Sequence, residues 1–102
     1  MNSKFKMKKS LKITYLKKSA KFLAKNKGTI TESEVDDLII KFVKKRFYGI
    51  DTNIDYKQMQ GRLKDIYRIR KGNIRIICQV KNEEIIIEAI IQDIGFRGDI
   101  YK

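Results

Sequence analysis

The sequence contains no histidine, the side chain that most often transfers protons in enzymes near neutral pH. Catalytic triads with a histidine base and zinc sites with histidine ligands are therefore excluded. The single cysteine, Cys78, cannot form an internal disulfide, which favours a reducing cytoplasm. The chain also lacks proline, a glycine-rich phosphate loop, an apolar run of about 18 residues and the apolar core of a secretion signal. We therefore expect a cytoplasmic protein without a membrane span.

Positive charge is abundant and unevenly distributed along the chain. Its 102 residues include 24 Lys and Arg against 12 Asp and Glu, for a formal net charge of +12. Residues 1–30 contain ten lysines and no acid, whereas all six arginines lie between Arg46 and Arg97. This surplus predicts attraction to a polyanion or to an acidic protein, although the lysines of the first region could simply solvate the fold.

Hydrophobic periodicity predicts a single α+β domain over residues 11–102, preceded by a basic, flexible lead-in over residues 1–10. The order β-α-α-β-β-β predicts a helical hairpin packed on a mainly antiparallel, twisted sheet. The predicted elements are a strand at 11–16, a helix at 17–26, a helix between a cap at Thr31 and a stop at Gly49, a short edge strand or loop at 53–59, and strands at 65–70, 73–80 and 84–94.

Two of these predictions rest on detailed patterns. Thr31 and Glu34 have the spacing of a capping box, and a stripe of apolar residues from Val35 to Val43 follows them. The near-continuous apolar run at 84–94 predicts a central strand that is covered on both faces, or one that forms a dimer or partner surface.

Candidate functional side chains lie around the last predicted strands. Arg68 and Arg70 share one face of the strand at 65–70, about 7 Å apart, and Arg75 follows across a tight turn. If the strands form a meander, these arginines meet Arg97 and Tyr101 beyond the last strand in one basic, concave site. The structural alternatives are a buried ion pair of Arg75 with Glu88 or Asp93, an exposed sheet face for Arg68 and Arg70, and simple packing for Phe96 and Tyr101.

Three segments carry a resemblance to a known family. MQG at 59–61, followed by YRIRKGNIRII at 67–77, resembles the L-x-G … Y-R-I-R-x-G-x-Y-R-I-I-Y core of the RelE/ParE toxin superfamily. IGFRGDIY at 94–101 is similar to the closing I-G-x-R-x-D-x-Y of that superfamily, and ITYLKKSAKFL at 13–23 fits its first strand and helix.

The resemblance implies the toxin of a bacterial type II toxin–antitoxin system. It predicts a ribosome-dependent endoribonuclease that cleaves mRNA by 2′-OH attack and inhibits translation, without a metal or other cofactor. Two alternatives stay open because fold does not determine function: a ParE-like toxin that inhibits DNA gyrase without nuclease activity, and a non-catalytic nucleic-acid- or protein-binding module. The implied partners are a cognate antitoxin, the ribosome and mRNA, or DNA gyrase in the first alternative.

The resemblance also implies site residues. In the RelE branch a strand-end arginine and a terminal arginine and tyrosine carry the chemistry, which corresponds to Arg70, Arg97 and Tyr101. Gln58 and Gln60 stand near the places where lysines are expected, so Lys57 is the candidate for the assisting lysine. The candidate RNA-binding residues are Arg62, Lys64, Arg68, Lys71 and Phe96. Arg75 matches a position that recurs across the superfamily, which implies a structural role.

Overall fold

The structure is a computed structural model that describes residues 8–61 and 65–98. These residues form five strands and two helices. In chain order they are β1 (Ser10–Tyr15), α1 (Lys17–Lys25), α2 (Glu32–Tyr48), β2 (Asp55–Gln58), β3 (Ile66–Lys71), β4 (Ile74–Asn82) and β5 (Ile86–Phe96).

One sheet with the strand order β1-β5-β4-β3-β2 contains all five strands. The turns after β3 and β4 are too short for a crossover connection, so β3, β4 and β5 pair antiparallel as a meander. Strand β2 also pairs antiparallel with β3. The helical connection instead brings β1 alongside β5 in parallel. The predicted α+β class and the mainly antiparallel sheet are therefore confirmed.

Helix α2 begins and ends as its sequence predicts. Thr31 Oγ1 accepts a hydrogen bond from the backbone N–H of Glu34 at 3.2 Å, and Glu34 Oε1 accepts one from the N–H of Thr31 at 2.9 Å. This capping box satisfies two of the N–H groups that lack partners at a helix start. Gly49 ends the helix with a φ of 67°, a left-handed conformation that side chains with a Cβ disfavour.

Both helices pack on one face of the sheet and bury an apolar core there. Phe42 of α2 is fully buried, and its ring centroid lies 4.9 Å from that of Tyr67 and 5.1 Å from that of Tyr56. Ser19 of α1 is also buried, and its hydroxyl is satisfied there because Oγ donates a hydrogen bond to the carbonyl of Ile91 at 2.8 Å. Neither helix of the described chain has the length and apolarity that crossing a bilayer requires.

The last hairpin differs from the prediction in the positions of its turn and of its second strand. Strand β4 continues to Asn82, since Lys81 and Asn82 pair with residues of β5, and β5 runs from Ile86 to Phe96. The predicted turn at 81–83 and the predicted strand at 84–94 are therefore each displaced by about two residues. Lys81 and Asn82, polar residues of the kind found in turns, extend the ladder between β4 and β5. The apolar Ile85 lies in the turn instead and is 77% exposed.

Two smaller predictions are also corrected. Strand β5 is an inner strand, as expected, but the helices cover only the face that carries Ile87, Ala89 and Ile91, so a dimer or partner surface on the other face stays a prediction. Ser10 belongs to β1 and not to the lead-in, of which residues 1–7 lie outside the described chain. The edge position predicted for the segment at 53–59 is confirmed by β2.

The capping box gives a stability prediction. Replacing Thr31 by Ala removes the oxygen that accepts from the N–H of Glu34, so we expect the free energy of unfolding to fall by about 1 kcal/mol. Urea denaturation followed by circular dichroism measures this loss. The exposed Thr29, outside the helix, provides the control, and equal losses for Thr29→Ala and Thr31→Ala would contradict a capping role.

Candidate functional site

The side chains of β3 alternate between the two faces of the sheet. Tyr67 and Ile69 are buried beneath the helices, while Arg68 and Arg70 lie on the opposite face, as predicted. Cross-strand pairing adds residues of the neighbouring strands to that face. We call this surface the cationic face and define it by Lys57, Arg68, Arg70 and Arg75.

Like charges stand directly opposite each other in the cationic face. Lys57 of β2 pairs in register with Arg68 of β3, an arrangement that destabilises a sheet unless an anion compensates it. The Nε of Arg68 is buried and has no hydrogen-bond partner among the described residues. A pocket of about 270 Å³ opens beside these two side chains. It is lined by Lys57, Gln58, Met59, Gln60 and Arg68. The unpaired Nε–H of Arg68, with Lys57 opposite it, is suited to donate a hydrogen bond to an anionic oxygen.

Arg70 is held by an acid that the sequence prediction did not include. Its Nε lies 2.5 Å from Oδ2 of Asp55, the residue opposite it on β2. Both side chains are about 45% exposed, so solvent screens the pair and it contributes little to stability. Asp55 orients the guanidinium and also offsets part of its charge.

Arg75 is the buried member of the cationic face. It is only 4% exposed, and its Nη1 donates to the carbonyls of Gly72 at 3.1 Å and Ile74 at 3.3 Å. The two carboxylates predicted as partners of Arg75 bind elsewhere. Asp93 forms an ion pair with Lys18 at 3.0 Å, and Glu88 accepts a hydrogen bond from Thr14 at 2.9 Å. Arg75 therefore fastens the turn between β3 and β4, which supports the structural role predicted for it.

Arg97 lies at the same end of the sheet as Arg70 and Arg75. Its backbone N–H donates to the carbonyl of Asn73 at 2.9 Å, which continues the β4–β5 ladder past the strand end. Arg75 pairs in register with Gly95, so continued alternation along the chain puts the exposed Arg97 on the cationic face. Strands β3 and β5 flank β4 and are therefore about 10 Å apart.

Two other candidates, Lys71 and Phe96, are not brought together with these arginines. Lys71 alternates with Arg70 and lies on the other side of β3. Phe96 packs its ring on Phe22 of α1 with a centroid distance of 5.4 Å, on the helix side of the sheet. Arg62, Lys64 and Tyr101 lie outside the described residues.

A second polar cleft, absent from the sequence prediction, lies at the opposite end of β3 and β4. It has a volume of about 500 Å³ and includes Arg46 and Lys81 in its lining. The guanidinium of Arg46 lies 4.9 Å from the ring centroid of Phe47 and 5.8 Å from that of Tyr67. In the sequence, Arg46 continues the apolar stripe of α2 with a charged residue, and this pattern indicates that its side chain lies along the aromatic core.

Cys78 does not supply a nucleophile to either region. Its side chain is fully buried in the core, and this burial raises the pKa of its thiol to about 12. The thiol therefore stays protonated near neutral pH, where only a thiolate would be reactive.

Solved structures resemble this fold, although no family model matches the sequence and no curated protein is significantly similar to it. A copper-bound mutant toxin from Helicobacter pylori shares 20% identity over 88% of this chain and 98% of its own, with a TM-score of 0.63. YafQ from Escherichia coli strain BL21(DE3) shares 7% identity over 91% of this chain and 100% of its own, with a TM-score of 0.61. The protein has the RelE-like toxin fold.

A third match shows the same fold in an assembly. A chain of the RelB–RelE antitoxin–toxin complex from Methanococcus jannaschii shares 19% identity over 86% of this chain and 94% of its own, with a TM-score of 0.50. Likeness at such identities establishes the RelE-like fold alone. Chemistry depends on the side chains that a fold carries, which here are those of the cationic face.

The role of Arg75 gives a second prediction. Arg75→Ala removes the hydrogen bonds to Gly72 and Ile74 and leaves those carbonyls without that donor. We expect a loss of about 2–3 kcal/mol in the free energy of unfolding, measured by urea denaturation. The same truncation at the exposed Arg97 should cost under about 0.5 kcal/mol. Equal losses at the two positions would refute the anchoring role.

Proposed function

We propose that this protein is the toxin of a type II toxin–antitoxin system and acts as a ribosome-dependent endoribonuclease on mRNA. The observation that carries the proposal is the cationic face, because Arg70 of β3 and Arg75 of β4 lie at the end of the sheet where Arg97 follows β5. The RelE-like fold, which the similar toxins share, supports the same class.

The proposed reaction uses the nucleophile that RNA itself carries. The 2′-oxygen forms a bond to the adjacent phosphorus and gives up its proton, the bond from phosphorus to the 5′-oxygen breaks, and that oxygen takes up a proton. Such a displacement needs in-line alignment of the reacting atoms and neutralisation of the charge on the phosphoryl oxygens. Guanidinium groups supply that charge and bind phosphate oxygens in a bidentate manner.

We assign the roles as follows. Arg70 and Arg97 hold the reacting phosphate from two sides, since they lie at one end of the sheet with β4 between them. Tyr101 orients or activates the 2′-OH, and Lys57 assists. Arg68 binds a neighbouring phosphate with its unpaired Nε, and Arg62 and Lys64, which precede β3 in the sequence, also bind the RNA.

Dependence on the ribosome follows from what the chain does not contain. Without histidine there is no side chain whose ordinary pKa lies near neutrality, so proton transfer is inefficient unless the substrate is well aligned. The ribosome would supply that alignment by holding the mRNA. We therefore expect slow cleavage of free RNA.

A cognate antitoxin is the partner that this proposal requires. The RelB–RelE complex shows that a toxin with a similar fold assembles with its antitoxin. The net charge of +12 favours an acidic partner and steers both it and RNA towards the protein.

The central test compares Arg97→Ala with wild type in primer extension on translated mRNA. We expect about 100-fold less cleavage, because one cation that contacts the developing charge is lost. Arg46→Ala, at the opposite end of the sheet, is the matched control and should retain cleavage. Free RNA cut as fast as ribosome-bound mRNA would contradict the proposal. Growth arrest with intact mRNA and inhibited DNA gyrase would favour the ParE-like alternative instead.

Asp55 offers a test in which a substitution should strengthen RNA binding. Asp55→Asn removes the carboxylate that offsets the charge of Arg70, so we expect RNA to bind about threefold more tightly at low salt. Fluorescence anisotropy with a labelled single-stranded RNA measures the dissociation constant. Asp51→Asn makes the same change of charge at an exposed residue of the loop before β2. Equal tightening by both variants would show an effect of net charge alone.

A further inference from the structure

The polar cleft at the far end of β3 and β4 contains charges of both signs. Its lining includes Arg46 of α2, Asp65, which is the residue before β3, and Lys81 near the end of β4. Neither Arg46 nor Asp65 forms an ion pair with another residue in the part of the chain that the structure describes. The cleft therefore holds a cation and an anion apart across a space of about 500 Å³.

Arg46 is oriented by the aromatic core and not by an acid. Its guanidinium carbon lies 4.9 Å from the ring centroid of Phe47 and 5.8 Å from that of Tyr67, which is itself buried. Contacts of this kind occupy the flat face of a guanidinium and leave its in-plane N–H groups available to donate. Those N–H groups are suited to a phosphate, which accepts two parallel hydrogen bonds from one guanidinium.

The rim of the cleft is fixed by the residue that precedes β1 by one position. Lys9 Nζ donates to Oδ1 of Asn82, which also lines the cleft, at 2.8 Å, and the backbone N–H of Lys9 donates to the hydroxyl of Tyr48 at 3.3 Å. Tyr48 ends α2 and Asn82 ends β4, so Lys9 joins the two elements on either side of the cleft. A ligand would therefore meet a site that is already formed, which lowers the cost of binding.

Asp65 restricts the chemistry of the other end of a ligand. Its backbone carbonyl accepts a hydrogen bond from the N–H of Val80 at 2.9 Å, which fixes this exposed residue against β4. A carboxylate repels a bare phosphate and accepts hydrogen bonds from N–H groups. A ligand that suits the whole cleft thus carries a phosphate at one end and N–H donors at the other. Guanine presents two such donors side by side, on N1 and on the N2 amino group.

We propose that this cleft binds a free nucleoside monophosphate whose base carries an amino group, and that guanosine monophosphate suits it best. Arg46 binds the phosphate, and the charges of Lys9 and Lys81 add to the attraction. Asp65 accepts hydrogen bonds from N1–H and N2–H of the guanine. The volume of about 500 Å³ lies in the range of small-molecule sites and is far larger than inorganic phosphate requires.

A free nucleotide suits the cleft better than an RNA strand does. Arg46 reaches the cleft from the helix side of the sheet, whereas Arg68 and Arg70 lie on the opposite face. An RNA strand held by Arg70 would have to pass round the sheet edge near Gln58, which lines both the cleft and the pocket beside Arg68. The proposal does not rest on nuclease activity, so failure of either leaves the other standing.

The test is calorimetric titration of the full-length protein with guanosine monophosphate. We expect binding in the micromolar to submillimolar range. Guanosine, which lacks the phosphate, should bind about tenfold more weakly because it loses the contact with the guanidinium. Inosine monophosphate differs only in lacking the N2 amino group and should bind about fivefold more weakly.

Two substitutions act on opposite ends of the nucleotide. Arg46→Ala should weaken binding of guanosine monophosphate about tenfold. Asp65→Asn leaves one acceptor oxygen where there were two, so the preference for guanosine over inosine monophosphate should fall below about twofold. Asp51→Asn makes the same change of charge in the loop before β2 and should leave that preference intact.

Arg97→Ala is the matched control for Arg46→Ala, because it removes a guanidinium from the cationic face. It should bind guanosine monophosphate as wild type does, which separates a specific site from attraction to the net charge of +12. Thermal unfolding separates loss of the site from misfolding. Saturating nucleotide should raise the melting temperature of wild type and Arg97→Ala, but not that of a cooperatively unfolding Arg46→Ala.

Several results would overturn the proposal. These are no binding of guanosine monophosphate at millimolar concentration, equal affinity for inorganic phosphate, and equal weakening by Arg46→Ala and Arg97→Ala. Weaker binding of a short single-stranded RNA to Arg46→Ala, with nucleotide binding unchanged, would assign the cleft to an RNA strand instead.

Discussion

The hydrogen-bonded register of β3, β4 and β5 is the constraint on which the other features of this protein depend. Side chains alternate along a strand, so one register puts Tyr67 and Ile69 into the core and Arg68 and Arg70 on the opposite face. A slip of one residue would bury two guanidinium groups beneath the helices. The turn between β3 and β4, where Gly72 adopts a φ of 56°, fixes this register. Arg75 reinforces it by binding the carbonyls of the same turn.

A bulge in β5 determines which side chains face the helices at the end of the described chain. Up to Ile91 the odd-numbered residues of β5 face the helices, and after the irregularity opposite Ile77 and Cys78 the even-numbered residues do. Phe96 therefore packs on α1, while Arg97 lies on the cationic face. Without this change of phase the two residues would exchange sides, and the arginine would be directed at the core.

The sequence was sufficient for features that depend on local patterns. The capping box at Thr31, the apolar stripe of α2 and the two faces of β3 follow from spacing alone, and the RelE-like fold followed from motifs in the right order. Features that depend on distant partners were missed. The pair of Asp55 with Arg70 requires the β2–β3 register, and the position of Phe96 requires the bulge. The displaced turn after β4 shows that polar residues do not mark a turn when their backbone groups can continue a ladder.

The charge of the protein also has to be understood as two separate surfaces. On the cationic face, the opposed cations and the unpaired Nε of Arg68 are an electrostatic cost to the free protein that an anion would offset. Along α1, stacked lysines beside an apolar groove impose a similar cost. Because helices cover one side of the sheet and the arginines occupy the other, the two surfaces face in opposite directions.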